Sequence, residues 1–259
     1  LSRRWDIGGH QVGLSAAANW SQEFRTLDPM QNNLFGVYDH QNNRSNYLRH
    51  SVDSQYNDNS RFGAMLNMTW IIPSGVAKFQ FKNIFNRIDN HRYTFRDGIS
   101  AQVNEEKSAE YFYRSRTTYN GQITGTHYMG DNTLDWCTGF SYADRIVPDR
   151  RRYLVNDALE SGVMALTTGN DISREWTDLR EGITSLSVND KQVFHIGDRE
   201  GYVKGGVYGE YRGRKYNTRV FIYNWNVYNN TLPAGFQKMD VPQLLSNPEY
   251  FGEDKFHLL

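Results

Sequence analysis

The feature that most constrains this chain is an alternation of apolar and polar residues that continues over unusually long stretches. Across residues 60–72, apolar side chains occupy every second position, from Phe62 through Leu66 and Trp70 to Ile72. A period of two places neighbouring side chains on opposite faces of a β-strand, whereas a helix repeats about every 3.6 residues. Because most strands have about 5–6 residues, the pattern predicts an all-β chain with long strands.

A tight turn at Ser74-Gly75 is predicted to join this strand to a second alternating segment, residues 76–86. In that register the predicted partners are Trp70 with Phe79, Met68 with Phe81, Thr69 with Gln80, and Asn67 with Lys82. Apolar residues then face apolar partners and polar residues face polar ones, as a sheet with two different faces requires.

The same alternation predicts two further hairpins and one leading strand. The predicted strands cover residues 11–24, 60–72, 76–86, 111–129, 133–147, 201–212 and 215–228, with turns at 74–75, 130–132 and 213–214. We assign these seven strands to a single domain, residues 1–259, that forms part of a β-barrel.

Short turns alternate with long polar links along the chain. The links are residues 25–59, 87–110 and 148–200, followed by a tail at residues 229–259. Loops above about 12–15 residues are uncommon in compact soluble domains, whereas an outer-membrane barrel has tight turns on one rim and long loops on the other. The pattern favours an antiparallel up-and-down transmembrane β-barrel segment with long loops on one rim.

Each face of this predicted sheet has its own set of residues. The lipid-facing set is Leu66, Met68, Trp70, Phe79, Phe81, Ile123, Trp136, Phe140, Val207, Val220 and Ile222. The lumen-facing candidates are Lys78, Lys82, Arg114, Arg116, Gln122, Arg145, Lys204 and Arg219. An arginine on the lipid side near the bilayer midplane would cost about 2–4 kcal/mol, so we expect the charged set to face water.

The run Arg150-Arg151-Arg152 falls in a predicted extracellular loop. It is either a solvated charge run or a contact for an anionic substrate or lipopolysaccharide. Residues 149–166 carry apolar side chains near helical spacing, so a short loop helix is expected there.

One part of the chain resembles a known family. The resemblance is carried by residues 121–130 (GQITGTHYMG), Leu134-Asp135-Trp136, Ser141-Tyr142-Ala143 and Pro148-Asp149, with residues 78–86 and 202–226 fitting the same pattern. These residues resemble the barrel of TonB-dependent outer-membrane receptors, in particular the Bacteroidetes type with a carboxypeptidase-regulatory-like domain.

The resemblance implies energy-coupled import of a bulky nutrient, such as an iron chelate, a cofactor or a glycan, across the outer membrane. It also implies membrane lipid, a plug domain and the TonB system as partners, with binding and gated passage in place of covalent chemistry. Such receptor barrels have about 22 strands, so seven strands are expected to be an internal fragment of a larger receptor.

Composition argues against several other functions. The 29 Lys and Arg residues balance 29 Asp and Glu residues, so the net charge is zero. The chain therefore lacks the positive charge that is typical of nucleic-acid-binding proteins. The seven His lack zinc-site spacing, and one cysteine, Cys137, provides no thiolate cluster. We see no Ser-His-Asp or paired-carboxylate arrangement, and therefore predict no catalytic residue, metal site, cofactor or enzyme activity.

The alternative is a soluble sheet protein whose apolar face packs on a second sheet and whose Tyr- and Trp-rich loops bind a glycan or a protein. An outer-membrane enzyme is a third, weaker hypothesis. One observation distinguishes the barrel segment from the soluble sheet protein. The lipid-facing set should be exposed in a barrel segment and buried in a two-sheet core.

Overall fold

The computed structural model describes residues 1–100, 103–156, 172–225, 246–252 and 256–258. Its strands are β1 (Ser2–Ile7), β2 (His10–Asp39), β3 (Arg44–Ile71), β4 (Ala77–Ser100), β5 (Val103–Met129), β6 (Asn132–Asn156), β7 (Ile172–Ile196), β8 (Arg199–Trp225) and β9 (Phe256–Leu258). Each strand pairs antiparallel with its neighbours in sequence, so one sheet runs in the order β1 to β9. The predicted all-β, antiparallel up-and-down fold is confirmed.

The sheet is open in the described residues, since β1 and β9 do not pair with each other. Two short 3-10 helices, Pro73–Gly75 and Pro248–Tyr250, accompany it. No helix in the described ranges is both long and apolar enough to cross a bilayer.

The strands are much longer than the sequence pattern predicts. The seven strands β2 to β8 each contain 24–30 residues, or about 80–100 Å at about 3.3 Å per residue. Most of the predicted loop at residues 25–59 is therefore strand, closed by a turn at residues 40–43, and residues 87–110 likewise extend β4 and β5. These loop predictions are wrong, because polar side chains on both faces do not prevent backbone pairing.

The predicted turn at Gly213-Arg214 is also wrong. Strand β8 runs through this dipeptide, and Gly213 pairs with Gly182 of β7. Strand β7 (Ile172–Ile196) lies within the predicted loop at residues 148–200, and the true turn lies between Ile196 and Arg199. The described residues contain seven long strands, the number predicted, but only because the missed strand β7 offsets the division of β8 into two.

The predicted hairpin at Ser74-Gly75 is confirmed. The structure pairs Trp70 with Phe79, Met68 with Phe81, Thr69 with Gln80, and Asn67 with Lys82. Ser74 and Gly75 both have φ near +70°, the left-handed conformation that reverses a chain in little space. The next predicted turn is confirmed with one residue fewer, since Met129 pairs with Asn132.

Four tight turns lie at one end of the sheet, which we call the turn rim: residues 8–9, 72–76, 130–131 and 197–198. The opposite end is the far rim. Antiparallel order places Ser74 and Asp131 on the same rim, as predicted, whereas Gly213 lies within β8. Residues 157–166 of the predicted helix and residues 229–245 of the tail lie outside the described residues, and residues 149–156 belong to β6.

Direct cross-strand partners point to the same side of a sheet, which defines two faces. Face A carries Trp70, Phe79, Trp136 and Val207, and face B carries their sequence neighbours. One extra residue in β6 after Val147 shifts its register against both β5 and β7. This bulge reverses the alternation along the rest of β6.

The missing turn at Gly213 corrects three face predictions. In an uninterrupted β8, Val220 and Ile222 lie on the opposite face from Val207, and Arg219 lies on face A opposite Trp176. The other seven lumen-facing candidates, Lys78, Lys82, Arg114, Arg116, Gln122, Arg145 and Lys204, share face B.

The sheet forms a single layer. Six apolar side chains are buried in the described part of the chain: Ala77, Ala109, Phe112, Val147, Val155 and Ile172. None of the eleven predicted lipid-facing residues is buried, since seven are exposed and four are half-buried. No second sheet of the described chain covers face A.

Candidate functional site

An apolar band crosses face A next to the turn rim. It runs from Ala77 to Phe85 on β4 and from Leu134 to Tyr142 on β6, nine residues on each strand. Its large side chains include Leu66, Met68, Trp70, Phe79, Phe81, Ile123, Trp136, Phe140 and Val207. The band arises because strands β3 to β8 place their apolar parity on one face in one shared register.

A row of charges ends the band at the same level on neighbouring strands. This charged row consists of four charged residues and one threonine, which are successive cross-strand partners on face A: Arg87, Thr117, Asp144, Arg180 and Lys215. Arg87 forms an ion pair of 2.9 Å with Asp89, and Arg180 forms one of 2.9 Å with Asp178. Each carboxylate lies two residues nearer the far rim on the same strand as its arginine. Face A therefore changes from apolar to charged within two residues.

An aromatic cluster occupies the other edge of the band, beside the turn rim. The indole Nε1 of Trp70 donates to Nδ1 of His10 at 3.2 Å, and that of Trp136 donates to Nε2 of His127 at 3.1 Å. Phe79 lies between the two indoles, with ring centroids 5.5 and 6.3 Å away. Both indole N–H groups thus have acceptors while their rings remain on the outer surface of face A.

Face B is polar at the level of the band. Lys82 and Gln122 line a hollow of about 410 Å³ together with Asn67, Asn120 and Ser141. Lys78 and Lys204 lie nearer the turn rim on the same face. Gln122 also donates to Sγ of Cys137 at 3.0 Å, so the single cysteine lies in a polar environment.

Toward the far rim, face B carries a cluster of arginines. Arg116 of β5 and Arg145 of β6 are direct cross-strand partners. Arg114 lies on β5 two residues nearer the far rim than Arg116. Next to them, the guanidinium groups of Arg92, Arg114 and Arg150 lie 5.1, 5.7 and 5.4 Å from the ring centroid of buried Phe112. The structure thus gathers on three strands residues that are scattered in the sequence.

Arg150, Arg151 and Arg152 lie within β6, so their assignment to a loop is wrong. Arg150 forms ion pairs with Glu110 and Glu175. Arg151 and Arg174 both bind Asp149, and the hydrogen bond from Arg174 is the main cause that lowers the pKa of this carboxyl. The bulge in β6 creates this arrangement, because it places Arg151 on face A and Arg152 on face B.

Sequence reasoning did not identify Asp53, a buried carboxylate near the far rim. It is 1% exposed, accepts two hydrogen bonds of 2.8 Å from Arg96, and accepts one of 3.1 Å from Asn32. Burial by itself raises the pKa of Asp53, but the hydrogen bonds and the charge of Arg96 outweigh it, so the pKa lies below its ordinary value. The only sequence signal is an Asp within a long polar strand.

A second missed feature is an apolar hollow of about 390 Å³ on face A, beyond the charged row. Tyr93, Tyr111, Tyr153, Ile172 and Tyr223 line it. The repeated tyrosines of these strands are its sequence signal, but the cross-strand register that brings them together is not local information.

No group of three or more His, Cys, Asp or Glu side chains in the described ranges is arranged to hold a metal ion. The chain matches no protein-family model, and it matches neither a curated protein nor a solved structure. The arrangement of two unlike faces is therefore the main guide to function.

Proposed function

We propose that this chain forms part of the wall of an outer-membrane β-barrel, with face A toward lipid and face B toward the lumen. The observation that carries the proposal is the apolar band, nine residues wide along each strand and bounded by a charged row. A tilted strand crosses the hydrocarbon core in about 9–11 residues. The band therefore has the height that a lipid-facing surface requires.

The single layer supports this assignment. Large apolar side chains in the band are exposed, including Phe140 at 48% and Val207 at 72%, and a soluble protein rarely leaves such a contiguous patch in water. Lipid would cover it without a second protein layer. The open sheet edges would then need further strands, because unpaired backbone groups are very costly in hydrocarbon.

Trp70 and Trp136 also suit a membrane boundary. Amphipathic aromatic rings are enriched at the level of lipid headgroups, and both indoles lie beside the turn rim with their N–H groups bonded to histidines. In the proposed barrel the turn rim therefore lies at one membrane surface, which in outer-membrane barrels is the periplasmic one. The far halves of the strands then project beyond the other surface.

The narrower part of the proposal is that this barrel belongs to an energy-coupled receptor that imports a bulky nutrient. Its support is the resemblance of residues 121–130 and the following strand to TonB-dependent receptors. The partners proposed on that basis are membrane lipid, a plug domain and the TonB system. The structure is compatible with passage through binding groups on face B and requires no covalent step.

The facing of the wall can be tested with single cysteines in a Cys137→Ser background. Met68→Cys and Leu186→Cys on face A are compared with Asn67→Cys and Ser187→Cys, their neighbours on face B. Each cysteine is labelled with a bimane dye in the protein expressed from its complete reading frame and reconstituted in lipid vesicles. Nitroxide-bearing lipids should quench the face A labels, and aqueous iodide should quench the face B labels.

Neighbouring positions act as matched controls because they share a strand and a depth. Equal lipid quenching on both faces would contradict the wall assignment. Recovery of the protein in water without detergent would favour the soluble binding module instead.

The transport activity needs a separate test. Deleting the gene in its host should abolish energy-dependent uptake of one nutrient among iron chelates, cofactors and glycans, and an uncoupler should have the same effect in the parent strain. Unchanged uptake of all three classes would contradict the receptor proposal while leaving the wall assignment in place.

A further inference from the structure

The arginine cluster of face B lacks the counter-charges that its neighbours have. Arg92 binds Glu110 at 2.8 Å, and Arg150 binds both Glu110 and Glu175. By contrast, Arg114, Arg116 and Arg145 form no ion pair with any carboxylate in the part of the chain that the structure describes.

Their placement makes this absence costly. Arg116 and Arg145 face each other directly across β5 and β6, and like charges at such positions destabilise a sheet. Arg114 is half-buried, and both burial and the charges of Arg116, Arg145 and Arg92 lower its pKa. A bound negative group would relieve this repulsion.

The cluster is also held in place and open to a solute. Stacking against the buried ring of Phe112 restricts Arg114, whereas the side chains of Arg116 and Arg145 are exposed. Arg116 and Arg145 are the sequence neighbours of Thr117 and Asp144 of the charged row, so they lie just where the apolar band ends. A solute on face B could therefore reach them from water.

We infer that Arg114, Arg116 and Arg145 form a binding site for an oxyanion, a phosphate or carboxylate group, carried by a small solute. The guanidinium fork binds two oxygens of such a group at once, which a lysine ammonium cannot do. The place of this site in a transport lumen rests on the proposed function. The anion chemistry rests on the arginine cluster alone.

Binding of inorganic phosphate tests this inference. The protein expressed from its complete reading frame is purified in detergent, and phosphate binding is measured by isothermal titration at pH 7.5 and constant ionic strength. The double variant Arg116→Gln/Arg145→Gln should bind phosphate at least tenfold more weakly than the parent.

The matched control is Lys78→Gln/Lys82→Gln. It removes the same charge from the same face, but about 20–33 Å nearer the turn rim, and should change phosphate affinity by less than twofold. The variant Arg116→Lys/Arg145→Lys keeps the charge without the fork and should bind with intermediate affinity.

Three results would overturn the inference: no phosphate binding by the parent, equal losses in the glutamine and control variants, or full binding by the glutamine variant. Lipid quenching of face A labels is measured in parallel, on the single-cysteine proteins reconstituted in lipid vesicles. If the labels show the expected quenching but the parent does not bind phosphate, the anion site alone is disproved. If the parent binds phosphate but the labels are not quenched, the wall assignment alone is disproved.

Discussion

At the residue scale, the far half of the sheet depends on polar side chains that are individually well satisfied. Asp53 is the clearest case, because its carboxylate is buried against Arg96 and Asn32. Breaking a buried ion pair leaves one charge without compensation, and this is far more costly than losing an exposed pair.

Replacing Arg96→Met should therefore lower the free energy of unfolding by about 3 kcal/mol, measured as the urea midpoint of vesicle-reconstituted protein. The control Arg4→Gln breaks a pair whose side chains are 64% and 65% exposed and should change stability by less than about 0.5 kcal/mol. Equal effects of the two changes would show that the Asp53 pair has no special role.

The same pair predicts a dependence on pH. Because the pKa of folded Asp53 lies below its ordinary value of 3.8, its contribution to stability is fully present above that value and is lost as the pH falls through the folded pKa. Lowering the pH from 6 to 3 should therefore destabilise the parent more than Asp53→Asn, as measured by urea midpoints. A parallel loss in both proteins would contradict this.

Gly125 is a residue whose small size positions an aromatic ring. A Cβ at Gly125 would overlap the indole of Trp136, whereas one at Gly209, on the same face, would meet no atom within 4 Å. We expect Gly125→Ala to destabilise the folded protein by about 1–2 kcal/mol. Gly209→Ala should be neutral or slightly stabilising, and urea midpoints that rank the two in reverse would disprove the packing argument.

At the element scale, β8 shows how pairing overrides a local turn signal. The dipeptide Gly213-Arg214 suits a turn by composition, but β7 supplies a partner for every residue from Arg199 to Tyr223. A continuous ladder satisfies the backbone groups on that side, whereas a turn at Gly213-Arg214 would leave the half of β7 from Ile172 to Glu181 unpaired on its β8 side.

Disulfide trapping distinguishes the continuous strand from the hairpin in a Cys137→Ser background. Ser185→Cys/Glu210→Cys should cross-link readily, because these residues are direct partners whose Cα atoms lie about 4.5–5.5 Å apart. Glu210→Cys/Asn217→Cys should not, since about 23 Å of strand separates them. Gel mobility without reductant reports both outcomes, and cross-linking of the second pair alone would restore the predicted turn.

At the scale of the whole molecule, two unlike faces of one layer decide which solvent each side can contact. Leu186 lies within the apolar band and is 54% exposed on face A, while Ser187 points to face B. In the proposed barrel wall, Leu186→Arg should cost about 2–4 kcal/mol, and Ser187→Arg should cost little. Urea midpoints in lipid vesicles measure both, and similar values for the two variants would contradict a lipid-facing band.

The sequence by itself determined the strand class, the face preference near the turn rim and the hairpin at Ser74-Gly75. These features are local: alternation within a segment reports which side is apolar, and a short turn fixes the register of its two strands. The partner pairs from Asn67 with Lys82 to Trp70 with Phe79 therefore follow from residues close together in the chain.

Only the tertiary structure decided how far each strand continues and which polar residues meet. Residues 25–59 and 87–110 are largely polar at both parities, so no alternation of apolar and polar residues marks them as strand. Backbone pairing with neighbouring strands holds them extended. The bulge after Val147 and the unbroken β8 then set the faces of Arg151 and Arg219. Cross-strand hydrogen bonding is non-local, and a one-residue change of register moves every later side chain to the other face.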